Sequence, residues 1–206
     1  MNPRLAFALA LIVGCALAAV IGVSVAARSG GGESRAQNDR LELVNGWAGA
    51  TRPAGIPPAD FSLRDQDGAR TSLAAYRGRP VVVTFLYSTC EDTCPTQVQA
   101  IRGALDDLGA DVPVLAISVD PANDTPQRAR RFVLEQRMTG RMRFLLGSRS
   151  ELAPVWKAYA IAPQREELEH SAYVLLIDGE GRQRIAFPFG GLTSEGLAHD
   201  LRRLGA

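Results

Sequence analysis

Residues 81–101 read VVVTFLYSTCEDTCPTQVQAI, and the fold turns on them. Residues 81–87 are apolar and rich in β-branched side chains, the pattern of a strand buried on both faces. Residues 88–92 form a short polar turn. Beyond Pro95, Val98, Ile101 and Leu105 recur at helical spacing, which predicts a helix over residues 95–108. Proline favours the first helical position. Cys94 is therefore expected at a helix N-terminus, where the positive end of the macrodipole stabilises a thiolate. Cys90 lies one turn earlier, close enough for a disulfide or a shared metal ion.

The same reading extends outward. Phe61-Ser62-Leu63 and Thr71-Ser72-Leu73 flank Asp67-Gly68, a hairpin signal, and Gly78-Arg79-Pro80 punctuates before the central strand. Residues 114–119 read as a second apolar strand ended by Asp120-Pro121. Asn123-Asp124-Thr125-Pro126 opens a helix over 127–137, and 142–146 is a short strand. Ser150 is expected to cap a helix running to about Ala160. Residues 173–177 and 184–187 pair as a hairpin, and Thr193 or Ser194 caps a last helix. Strand–helix–strand order implies parallel pairing, to which the terminal hairpin adds antiparallel strands. The expected class is α/β: a mixed central sheet flanked by helices, the thioredoxin-like pattern.

In open α/β sheets the site lies beyond the carboxyl ends of the strands. Cys90 follows one such end and Asp120 another. His170, in ELEHSAYVLLID, precedes its strand and reaches that edge only if the strand runs antiparallel. Two thiolates and one imidazole would make a three-coordinate soft site, suited to copper rather than to closed tetrahedral zinc.

The chain has 206 residues and a net charge of +1, without the basic excess expected of a nucleic-acid binder. Residues 5–27 carry no charge and are long enough to span a bilayer as a transmembrane helix. The expected organisation is a membrane anchor or signal segment over 1–27, a flexible tether over 28–52 and the folded domain over 53–206. A retained anchor suits the length best. Val25-Ala26-Ala27 offers a signal cleavage site, and Ile12-Val13-Gly14-Cys15 looks like a lipoprotein box, although twelve further uncharged residues follow Cys15. A domain C-terminal to one anchor is most simply exported. That gives a single-pass protein of the cytoplasmic membrane with its domain on the outer, periplasmic side.

Three blocks, FLYSTCEDTCP, ISVDPANDTP and EHSAYVLLID, occur in order and together resemble the SCO/SenC group of copper-binding proteins that help assemble cytochrome c oxidase. The likeness runs from about Asp60 to the C-terminus and includes FSLRDQDG and RGRPVVVTF. Glu169 and Glu91 depart from the usual Asp and Pro of the family, and neither removes a ligand. The resemblance implies a thioredoxin-like domain with Cys90, Cys94 and His170 as ligands of copper, Cu(I) or Cu(II). It implies a metallochaperone delivering copper to the binuclear centre of oxidase subunit II. A copper donor protein and a thiol reductant would be further partners.

A competing class keeps the fold and changes the chemistry. Cys90 and Cys94 could be a redox-active pair, a thiol–disulfide oxidoreductase that keeps the oxidase's cysteines reduced. C-x-x-x-C spacing argues against ordinary thioredoxin chemistry, and Glu91 and Asp92 disfavour thiolate while favouring a bound cation. A peroxidase is disfavoured, since Glu91 and Tyr87 stand where Thr and Pro would be needed. Glu166, Glu167 and Glu169 read as a solvated acidic loop able to steer a partner. His199 reads as solvated, pointing away from the buried Leu197, Leu201 and Leu204 face of the last helix.

Overall fold

The computed structural model describes residues 41–56, 59–163 and 173–206. In chain order the elements are β1 (Ala50–Thr51), β2 (Ser62–Asp65), β3 (Arg70–Ser72), β4 (Val81–Leu86), α1 (Thr93–Leu108), β5 (Val114–Ser118), α2 (Pro126–Glu135), β6 (Met142–Leu146), α3 (Arg149–Tyr159), β7 (Tyr173–Ile177), β8 (Gln183–Pro188) and α4 (Ser194–Arg203). The strands form one sheet in the order β1-β8-β7-β4-β5-β6-β2-β3. β4, β5 and β6 run parallel, while β7 is antiparallel to β4 and β8 to β7. This is the mixed α/β sheet that the strand and helix order implied.

Every residue of β4 is buried, because helices cover both faces of the sheet. Val82 and Leu86 point into one core with Val98 and Ile101 of α1, Phe132 of α2 and Leu197 of α4. Val81, Val83 and Phe85 point into the other, against Leu152, Val155 and Trp156 of α3. The alternation along one strand thus assigns three helices to one side and α3 to the other.

Two helix starts differ from expectation. α1 begins at Thr93, two residues before Pro95, so Cys94 lies inside the first turn. α3 is capped by Ser148, not Ser150, because Glu151 lies three residues beyond Ser148 and closes a reciprocal capping box.

Ordered packing also starts ahead of the boundary expected at Pro53. Leu43–Ala206 is one compact unit, and β1 adds to the edge of β8. The amides of Ala48 and Gly49 donate to the fully buried carboxylate of Asp200, each at 2.9 Å. Gly49 must be glycine: a Cβ there would lie 2.4 Å from Ile185 Cγ2. His199 is likewise not merely solvated, since its Nε2 lies 3.1 Å from the carbonyl oxygen of Gly46. No helix among the described residues is long and apolar enough to cross a membrane, and residues 5–27 lie outside them.

Candidate metal centre

β4 delivers the chain to the carboxyl edge of the sheet, where residues 87–92 turn it into α1. The backbone folds back at once, with Cys90 N–H donating to the Tyr87 carbonyl at 3.3 Å. The Cys94 amide, one of the orphan donors of the first helical turn, donates to Cys90 Sγ at 3.2 Å. Thr93 Oγ1 lies 3.5 Å from the same sulfur. Both cysteines are buried free thiols.

The two thiols are not equivalent. The hydrogen bond from Cys94 lowers Cys90 to about 5, with Thr93 assisting and burial opposing. Cys94 moves the opposite way, because its proton is held toward Cys90 and it is more deeply buried. The thiolate expected at Cys94 therefore belongs to Cys90.

A polar link missed in the sequence holds the loop in place. Asp124 Oδ1 accepts from Ser88 N at 2.7 Å and Ser88 Oγ at 2.6 Å, while Ser118 Oγ donates to Oδ2. One carboxylate thus ties the loop two residues before Cys90 to the end of β5. Burial raises its pKa, and the serine hydrogen bonds offset this in part. Asp120, the residue singled out at this edge, serves its own turn instead, accepting from Asn123 Nδ2 at 2.8 Å. The available signal was the helix-start pattern Asn123-Asp124-Thr125-Pro126, but not the direction of the carboxylate.

Beneath the loop, Gln97 Nε2 donates to Thr84 Oγ1, and Thr84 Oγ1 donates to the Tyr173 carbonyl at 3.3 Å. Both side chains are fully buried. This pair joins α1 and β4 to the first residue of β7. Because β7 is antiparallel to β4, with Thr84 opposite Val174, its start lies at the edge that carries the cysteines. The orientation required of the strand after His170 is therefore met. His170 itself, with Glu166, Glu167 and Glu169, lies outside the described residues.

Among the described residues no third Cys, His, Asp or Glu joins the two thiols in a group able to hold a metal ion. The sulfur pair alone is a soft donor set, which favours copper(I) over hard cations. A cleft of about 420 Å³ opens onto Cys90 between the loop and α2, bordered by Pro95, Arg128, Arg131 and Phe132. Cys90 thus borders the cleft, while Cys94 is the more deeply buried of the two.

The SCO1/SenC family model matches residues 50–205. The mitochondrial SCO2 homolog of Bos taurus is 30% identical over 145 residues, covering 64% of this chain and 54% of that protein. The chain spans about half the length of the curated relatives it matches. Among solved structures, copper-bound ScoI of Bradyrhizobium japonicum superposes with a TM-score of 0.60 at 30% identity, covering 70% of this chain and 97% of that one. Copper-bound ScoI of Arabidopsis thaliana does so with a TM-score of 0.62 at 26% identity, covering 70% and 95%. A match over nearly the whole described unit, on a fold whose sheet edge carries the C-x-x-x-C loop, makes this chain a member of the SCO1/SenC family.

Proposed function

We propose that this protein is a copper metallochaperone, holding copper between Cys90, Cys94 and His170 and passing it to the binuclear centre of cytochrome c oxidase subunit II. The carrying observation is the pair of free thiols, four residues apart, one on the loop after β4 and the other in the first turn of α1, at the carboxyl edge of the sheet. In the sequence His170 stands three residues before Tyr173, the first residue of β7. Copper-bound relatives at 30% and 26% identity support copper as the cargo. The low pKa of Cys90 favours ligation near neutral pH, since the thiolate is the metal ligand.

Residues 5–27 would hold the domain at the outer face of the cytoplasmic membrane. With packing starting at Leu43, a tether over residues 28–42 would, if flexible, have an r.m.s. reach of roughly 19–23 Å.

A second reading rests on the same low pKa: Cys90 as attacking thiolate in reducing the cysteines of subunit II. One experiment separates the two. The reduced protein is titrated with copper(I) and copper(II), and is also incubated with an oxidised subunit II fragment. The proposal expects one copper per chain, a visible thiolate-to-copper(II) band, and loss of both in Cys90→Ser and Cys94→Ser. Full copper binding by both single variants would sink it. Stoichiometric reduction of the fragment without copper binding would establish the second reading.

A further inference from the structure

The pole of the domain opposite the cysteines carries a second surface. β4 runs away from this pole toward Cys90, and the β7–β8 turn sits at its start, with Gly78 N–H donating to the Gly179 carbonyl at 2.9 Å. The compact unit begins here, with the turn Val44–Trp47 closed by reciprocal backbone hydrogen bonds of 2.8 and 3.1 Å. Asn45 and Gly46 take positive φ, the conformation that an Asn-Gly pair adopts in tight hairpins. His199 holds the Gly46 carbonyl, Asp200 holds the next two amides, and the Arg203 guanidinium stacks 4.6 Å from the Trp47 ring centroid. The turn is therefore a fixed platform. It nonetheless displays Val44 at 70% and Leu43 at 45% exposure.

Around this platform lie Arg52, Arg77, Arg79, Arg182, Arg184 and Arg203. Asp178 and Glu180 pair with Arg182, and Asp178 with Arg184. No carboxylate among the described residues pairs with the other four arginines, and Arg52 Nε is buried without a hydrogen-bond partner. Two adjoining grooves, of about 630 and 410 Å³, share Arg182 and Arg184.

We propose that this pole binds the surface of an anionic phospholipid bilayer. The guanidinium groups would take headgroup phosphates, Trp47 would sit at headgroup level, and Leu43 and Val44 would enter the acyl boundary. Exposed aliphatics beside an amphipathic aromatic and a surplus of arginine are the composition of an interfacial contact, not of a water-facing surface. The chain outside the described unit also favours lipid over a protein partner. It joins at Leu43, on this pole, and includes the uncharged segment of residues 5–27. Bound this way, the domain turns its cysteine edge away from the bilayer.

Trp47 and Trp156 are the two tryptophans, and Trp156 is buried against Ser118, so Trp47 reports on the surface. The full-length chain is reconstituted into phosphatidylcholine bilayers with or without phosphatidylglycerol, carrying brominated acyl chains. The Trp47→Phe chain supplies the background. The proposal expects quenching and a blue shift of Trp47 in anionic bilayers. It expects their loss at high salt and in the triple variant R52Q/R77Q/R79Q, which removes arginines that no described carboxylate pairs with. Val44→Ser, which leaves the turn's hydrogen bonds intact, should lose quenching with an unchanged melting temperature. The proposal is overturned by equal quenching in both bilayers, by its persistence in V44S, or by none in either, the outcome expected of a protein-docking surface.

Discussion

Cys90 and Cys94 carry the same side chain, yet their hydrogen bonds drive them apart: Cys90 receives donors from Cys94 and Thr93, and Cys94 receives burial. Because the folded pKa of Cys90 is lowered to about 5, its thiolate dominates at pH 7 and is lost only as pH falls through that value. Alkylation of the reduced protein near pH 7, mapped by peptide mass spectrometry, should therefore label Cys90 and spare Cys94. Equal labelling would contradict the assignment. Cys94→Ala removes the largest cause of the shift, so the reactivity of Cys90 should retreat toward the alkaline range of an ordinary thiol. Asp124 acts on the same loop from a distance. Asp124→Ala leaves the buried Ser118 hydroxyl and the half-buried Ser88 donors without their acceptor and should cost about 1–3 kcal/mol. Thermal unfolding checks this, and an unchanged melting temperature would show that the carboxylate is dispensable.

Elements carry two further predictions. Thr84 joins α1, β4 and β7 through one hydroxyl. Thr84→Val leaves the Gln97 amide and the Tyr173 carbonyl unpaired, at a cost of roughly 1–3 kcal/mol. If His170 is a ligand, that change should also weaken copper(II), which wants nitrogen, more than copper(I), which two thiolates can hold. Binding of both ions by His170→Ala as tight as by the unaltered chain would remove His170 from the ligand set. At the sheet edge, Gly49→Ala forces a methyl onto Ile185 and Phe187 and should destabilise by about 1–3 kcal/mol, read as a lower melting temperature.

For the whole molecule, the sheet separates two poles, one with the thiol loop and the other with the entering chain. The membrane proposal makes that separation functional. Intact Met1 in the membrane fraction, found by mass spectrometry, is the expected outcome. A mature start near Arg28 would refute the retained anchor, and a lipidated Cys15 would replace it with another. Deleting residues 1–27 should leave copper binding intact and oxidase assembly poor.

What the sequence determined by itself is what short-range periodicity encodes. The buried run of residues 81–86, the 3.6-residue spacing of Val98, Ile101 and Leu105, and the Asp67-Gly68 turn each act within one element. They sufficed to bring the thiols together beyond a strand end and to class the sheet as mixed. Tertiary structure alone decided which thiol is acidic, because that depends on one amide aimed at one sulfur and on unequal burial. It also decided that Asp124, not Asp120, holds the loop, since Ser88 is 36 residues away in the chain. Residues 43–52 showed no periodicity because their order comes from partners about 135–150 residues distant, β8 and the carboxylate of Asp200. Hydrogen-bond direction and long-range partners are set only when the chain closes on itself.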